Sequence, residues 1–217
     1  MGGYISERKA RILQVVVEEY IRRGEPVSSH LVAHLSRLSL SPATVRNEMA
    51  ELGEEGYLEQ PHVSSGRVPS DLGYRYYVDH LMPRKSVSGF FRGERDLREA
   101  MRRVSRALGV AVLVSRDRGD LQVVGLSALL GRKDPPRGEI LAGLLDLLEE
   151  EGFMAELLWG NGGRGVAVLI GHELPDERMH SFSLIAGGGR GRLGILGPRR
   201  VDYALGFALV REAGRCL

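Results

Sequence analysis

Cysteine is almost missing from this chain of 217 residues: Cys216 stands alone, which excludes an intrachain disulfide scaffold and makes the cytoplasm the expected compartment. Long apolar runs are missing as well, none reaching the roughly 18 residues that a bilayer span requires, so no membrane association is expected. The opening residues Met1-Gly2-Gly3-Tyr4-Ile5-Ser6-Glu7-Arg8 hold no apolar h-region, and no secretory signal is expected. Lysine is limited to Lys9, Lys85 and Lys133. The basic set is otherwise arginine, whose planar fork suits phosphate and guanine, although an arginine-rich composition accounts for the same count.

The residues of catalysis are also thinly supplied. No Ser/His/Asp or Cys/His constellation stands out, so no catalytic residue is expected and the chain does not read as an enzyme. His172, Glu173, Asp176, Glu177 and His180 contain no HExxH arrangement and read as a solvated loop rather than a metal site. The run Gly187-Gly188-Gly189-Arg190-Gly191-Arg192 lacks the Gly-Lys-Ser/Thr ending of a phosphate loop and reads as a strand connection. No metal and no cofactor are expected.

What is present is enough apolar material, 43% of residues, for real cores, at a length that suits two domains. The net charge of +2 hides an uneven distribution. Residues 1–83 carry 9 basic and 11 acidic groups, whereas residues 84–110 carry 8 and 3. Any nucleic-acid contact by the first part must therefore rely on locally placed groups rather than on a general positive field.

Four helices and a hairpin are predicted in residues 1–83. Ser6 caps a first helix over Glu7 to Arg23, with Ile12, Leu13, Val16, Val17, Tyr20 and Ile21 at helical spacing and Gly24 and Pro26 closing it. Ser28 or Ser29 caps a short second helix that turns Leu31, Val32 and Leu35 inward. Ser41-Pro42 restarts the chain as a third helix ending at about Glu55, before Gly56. Val45, Met49 and Leu52 face inward on it; Ala43, Thr44, Asn47, Ala50 and Glu51 lie opposite, with Arg46 at the flank.

Small and hydrogen-bonding residues at a helix start suit a major groove: Asn pairs with an adenine edge, and Ala or the Thr methyl meets thymine. Tyr57–Pro61 and His62–Pro69 then predict a hairpin with a Ser-Ser-Gly-Arg tip, placing Arg67, Ser64, Ser65 and His62 for backbone or minor-groove contact. A fourth helix, Asp71 to Met82, is expected to pack through Leu72, Tyr76, Val78 and Leu81. A protein-interaction module is the alternative that three helices and a hairpin leave open.

These phrases resemble one family. Leu40-Ser41-Pro42-Ala43-Thr44-Val45-Arg46-Asn47-Glu48-Met49-Ala50-Glu51-Leu52, then Glu55-Gly56-Tyr57-Leu58, Gln60 to Ser70, and Gly73-Tyr74-Arg75-Tyr76-Tyr77-Val78-Asp79 are similar to the HrcA family nearly continuously over residues 5–82. The resemblance implies a winged helix-turn-helix repressor of DnaK- and GroEL-type chaperone operons. It implies binding as a homodimer to double-stranded DNA at the CIRCE inverted repeat, with a GroEL-type chaperonin as a possible partner. Carried over by position, DNA contact falls to Ser41, Ala43, Thr44, Arg46, Asn47, His62, Ser64, Ser65 and Arg67.

Residues 94–108 predict a basic amphipathic helix, with Leu97, Met101, Val104 and Leu108 on one face, read as a linker. Strands are predicted at 110–114, 121–126, 166–170, 182–186 and 193–196, an apolar helical stretch at 140–159 broken at Gly152, and a last helix over 198–216. Gly125–Leu130, Gly171-His172-Glu173, Ser183-Leu184-Ile185 and Gly194–Tyr203 resemble the family's GAF-like regulatory domain more loosely. The stretch 115–120 stands where the family carries further strands and an inserted dimerisation domain.

The expected fold class is thus α+β: a winged helix-turn-helix over 1–83, a basic linker helix over 84–109, and a truncated GAF-like domain over 110–217 serving regulation and dimerisation. A winged-helix regulator whose second domain answers to a small-molecule ligand is the alternative function.

Overall fold

The computed structural model describes residues 5–91, 97–150, 152–161, 163 and 165–214. Residues 94–96 of the expected basic helix, and Cys216, lie outside them. The chain divides into two compact units, Met1–Pro83 and Arg84–Leu217, and the architecture is α+β.

In the first unit, helix α1 (Glu7–Arg23) begins and ends where its caps predict. Ser6 accepts from the Lys9 amide at 3.3 Å, and Gly24 closes the helix in the left-handed region at φ 75°. Its buried face is Ile12, Leu13, Val15, Val16 and Val17. Helix α2 (Ser29–Leu35) is capped by Ser28, and α3 (Pro42–Glu54) by Ser41 with proline in its first turn. Strands β1 (Leu58–Glu59) and β2 (Val68–Pro69) pair antiparallel. A bridge between Val27 and Arg67 adds a third short segment to that ribbon.

The fourth helix differs from expectation in both form and face. Helix α4 covers Asp71–Tyr76, and the chain continues as a π-helical turn over Tyr77–Leu81. Gly73, Tyr74 and Tyr77 are buried while Leu72 is 39% exposed. The cause is a close backbone approach: a Cβ on Gly73 would lie 2.1 Å from the Tyr57 carbonyl oxygen. The helix therefore docks on its glycine face, and the leucine that periodicity pointed inward is turned out.

The second unit holds a five-stranded, wholly antiparallel sheet built from β3 (Ala111–Ser115), β4 (Gln122–Val124), β5 (Val166–Ile170), β6 (Phe182–Gly187) and β7 (Arg192–Pro198), in the order β4-β3-β7-β6-β5. All five strands fall within a few residues of their predicted places. Their near-continuous apolar composition reflects cover on both faces. On one side Leu113, Leu184 and Leu196 pack with Leu129, Leu144, Leu147, Met154 and Leu158 from helices α6 (Leu126–Leu130), α7 (Gly138–Glu149) and α8 (Phe153–Gly160). On the other side α9 (Tyr203–Ala213) lies against β6, where a Cβ on Gly206 would sit 2.5 Å from Ile185 Cδ1.

Three further expectations are corrected. Helix α5 (Leu97–Leu108) is not a free linker. It belongs to the second unit and packs on β3 and β4, with Ala100, Met101, Val104, Ser105 and Leu108 buried. Pro198 ends β7 instead of opening the last helix, whose N-cap is Asp202, accepting from the Leu205 amide at 2.9 Å. Residues 125–130, partly assigned to a strand, turn into α6 after Gly125, whose φ of 91° breaks the extended chain.

The loop regions expected to be solvated contain their own order. Glu173 accepts from the Ile170 amide at 3.0 Å, and the rings of His172 and His180 lie against each other, tilted by 38°, with centroids 4.4 Å apart. In the glycine-rich connection Arg192 turns back to the Gly189 carbonyl and lies over the Trp159 ring, 4.5 Å from its centroid.

Two measurements check this packing. Alanine normally stabilises a helix by about 1 kcal/mol over glycine, but Gly73→Ala should instead cost about 1–3 kcal/mol by overpacking against Tyr57, read as a lower denaturation midpoint. Asp176 is held at about 2, below its ordinary 3.8, by hydrogen bonds from the Arg178 guanidinium. A depressed carboxyl contributes stability above its unfolded pKa and loses it as pH falls through the folded one. Arg178→Gln should therefore lower the melting temperature at neutral pH, with the gap to the parent closing between about pH 4 and pH 2.

Candidate nucleic-acid interface

The geometry of the first unit is set by how α2, α3 and the hairpin are tied together. Between α2 and α3 the chain adopts left-handed backbone at Arg37 (φ 59°) and Ser39 (φ 53°), a conformation that non-glycine residues seldom take. Arg11 pins this turn by donating from Nε to the Ser36 carbonyl at 3.2 Å. Ser41 then accepts from the Thr44 amide at 3.1 Å, and the two hydroxyls share a 2.9 Å bond. The helix start is thus fixed by groups within itself.

Helix α3 ties most of its carboxylates to α1. Val45, Met49 and Leu52 are buried as predicted, and Glu48 joins them, ion-paired to Arg8 of α1. Lys9 reaches Glu51 at 2.8 Å and Glu55 at 2.6 Å. That contact raises the lysine and draws the Glu51 carboxyl below its ordinary range, in both cases through the hydrogen bond between them. Three carboxylates of this stretch are therefore committed to α1. Arg46, Asn47 and Ala43 face solvent on another side; Thr44 is half-buried.

Arg46, Asn47 and Ala50 form one wall of a cleft of about 580 Å³. The first turn of α2, Ser28 to His30, closes one end, and Gln60 with Val63 to Arg67 of the hairpin forms the opposite wall. No Asp or Glu lines it. Although this region holds more acid than base, the polar groups lining the cleft are arginine, histidine, amide and hydroxyl. Backbone N–H groups and such side chains are the usual partners of phosphate oxygens and base edges.

The hairpin residues are placed less uniformly than the sequence implied. His62, Val63 and Ser64 form the exposed end, with Val63 99% exposed. Ser65 is half-buried and its hydroxyl is used internally, accepting from the His62 amide at 3.1 Å and donating to the His62 carbonyl at 2.7 Å. Gln60 donates to the Val63 carbonyl at 2.8 Å.

Arg67 is not at the tip. It lies on the returning strand, exchanging two 2.9 Å backbone hydrogen bonds with Val27. Its guanidinium runs back along α3, where a Cβ on Gly53 would lie 3.3 Å from Nη1. The tip expectation fails because Gly66 lies against Val27: a Cβ there would come within 2.4 Å of the Val27 carbonyl oxygen, so the chain has already rejoined the body of the unit before residue 67. Ser41 is occupied in capping, while Ala43, Arg46, Asn47, His62 and Ser64 remain available. His30 and Gln60 also line the cleft. The hydrophobic pattern gave no cue to them; the serine pair that caps α2 was the one available signal for His30.

Three helices carrying a short antiparallel ribbon, joined to an antiparallel sheet covered by helices, define a two-unit protein of winged helix-turn-helix form. The family described as "HrcA protein C terminal domain" matches residues 84–205. The chain belongs to the HrcA family.

Its curated relatives carry the name "Heat-inducible transcription repressor HrcA". The one from Symbiobacterium thermophilum is 48% identical over 113 residues, covering 48% of this chain and 33% of its own length. The one from Carboxydothermus hydrogenoformans is 60% identical over 84 residues, covering 39% and 25%. The chain thus spans a third or less of the length of these relatives. A Nocardioides relative is 28% identical over an alignment of 325 positions that covers 96% of both chains. With 217 residues in this chain, a long stretch of that relative has no counterpart here. A crystal structure of a hypothetical protein at 2.2 Å resolution shares the fold, with a TM-score of 0.76 at 19% identity over 98% of each chain.

Proposed function

We propose that this chain is a sequence-specific, double-stranded-DNA-binding repressor of heat-shock chaperone operons, acting in the cytoplasm. The observation that carries the reading is the carboxylate-free cleft between α3 and the hairpin, with Arg46 and Asn47 exposed on one wall. The names of the relatives, heat-inducible transcription repressors, supply the biological setting.

In this reading the start of α3 enters a major groove. Asn47 reads an adenine edge, Ala43 meets a thymine methyl and Arg46 takes phosphate or guanine. The exposed His62 and Ser64 hold the neighbouring backbone, and Arg67 acts from the cleft wall rather than from the tip. Two copies bind the two halves of an inverted repeat, because one winged helix reads too few base pairs for genome-scale specificity. The second unit, α5 included, carries regulation.

Asn47→Ala should cost about 1–3 kcal/mol on the cognate repeat and relax preference at one base pair. Arg46→Ala should weaken cognate and random DNA alike if it holds phosphate, lowering the salt slope by about one. Fluorescence anisotropy on cognate and scrambled duplexes over a salt series reads both. Asn47→Ala binding the repeat as well as the parent would remove α3 from the recognition role.

A further inference from the structure

The apex of the hairpin spends its polar groups on itself. The Ser65 amide donates to the His62 carbonyl at 2.9 Å, closing a four-residue turn with Val63 and Ser64 at its centre. The Ser65 hydroxyl doubles that closure, accepting from the His62 amide at 3.1 Å and donating to the His62 carbonyl at 2.7 Å. The Gln60 side-chain amide donates to the carbonyls of Val63 at 2.8 Å and Ser65 at 3.2 Å. What this braced turn holds outward is a valine, 99% exposed and stiff about χ1 because it is β-branched. Scattered apolar side chains on a surface need no explanation. This one stands at the apex of a pre-organised turn, flanked by the exposed His62 and Ser64, on the wall of the cleft that faces Arg46 and Asn47.

That placement decides which face of DNA it meets. With the start of α3 in a major groove, the cleft receives one sugar–phosphate strand. The hairpin apex then lies beyond that strand, over the adjacent minor groove. At about 6 Å wide, this groove has room for a short side chain such as valine. Its floor carries acceptors at every base pair, and only G·C adds a donor, the guanine 2-amino group. A valine tip offers that donor no acceptor, so covering it removes water without replacing the hydrogen bond, which is unfavourable.

We propose that Val63 is a specificity-determining residue. It enters the minor groove beside the base pairs read by α3 and selects A·T over G·C there by excluding the guanine 2-amino group. The proposal rests on the DNA reading above and adds a minor-groove preference to the major-groove contacts of α3.

Inosine, which is guanine without the 2-amino group, isolates this effect: an I·C pair shows the major groove the face of G·C and the minor groove the face of A·T. Fluorescence anisotropy of the full chain reads it on duplexes carrying the inverted repeat, each A·T pair in and beside the half-sites being replaced in turn by G·C and by I·C. At one or two pairs per half-site the parent should bind G·C about tenfold more weakly, the scale of one unfavourable pair, and should regain its affinity with I·C. Val63→Thr keeps the shape and the β-branch but supplies a hydroxyl able to accept from the amino group. It should cut the G·C penalty to about threefold or less, with the melting temperature unchanged. Asn47→Ala should leave that penalty intact.

Specific binding in which I·C never rescues G·C, or a penalty that Val63→Thr leaves at full size, would overturn the role of Val63 and leave the DNA reading standing. A parent that binds the repeat and a scrambled duplex alike would overturn both.

Discussion

The two backbone hydrogen bonds between Val27 and Arg67, each 2.9 Å long, decide where everything else in the first unit can point. They fasten the returning strand of the hairpin to the chain just ahead of α2, and only a glycine at position 66 lets the two backbones come that near. Because α2 is in turn locked to α3 through the Ser36–Ser41 turn, the hairpin and the third helix become opposite walls of one cleft. A backbone tie of this kind costs little side-chain entropy and leaves the lining residues free to face a ligand. Without it, the hairpin would be a two-residue ribbon, too short to hold an orientation unaided.

Charge placement completes what the backbone begins. Three acidic residues in and just after α3 are paired off toward α1, Glu48 with Arg8 and Glu51 and Glu55 with Lys9, while Glu54 is exposed outside the cleft lining. The exposed pairs contribute little to stability; their consequence is directional. They draw three carboxylates toward α1, and no Asp or Glu lines the cleft.

Much of this was legible in the sequence wherever local chemistry decides structure. The caps Ser6, Ser28 and Ser41, the proline opening α3 and the glycines at 24 and 56 set the limits of the first three helices, which the fold reproduces almost to the residue. The five strands of the second unit were marked by short apolar runs. What could not be read are positions fixed by an approach between distant segments. Gly73 seats α4 on Tyr57 and turns Leu72 outward; Gly66 rejoins Val27 and brings Arg67 off the tip. Periodicity carries no information about which glycine will be a contact and which a hinge. The helix over 97–108 was visible as amphipathic, but its basic outer face disguised a buried inner one. Of the candidate interface, the α3 residues were legible from the cap and the period. His30 and Gln60 were not, because they join the cleft only through tertiary structure.

In the proposed function the α3 wall and the hairpin wall meet the same DNA duplex. Amide chemical-shift mapping of the isotopically labelled chain, titrated with a duplex carrying the inverted repeat, reads both walls at once. The largest changes should fall at residues 42–50 and 60–67, with the amides of Val27 to His30 following. Changes confined to the sheet unit, or spread evenly over exposed arginines with the 42–50 stretch silent, would contradict it.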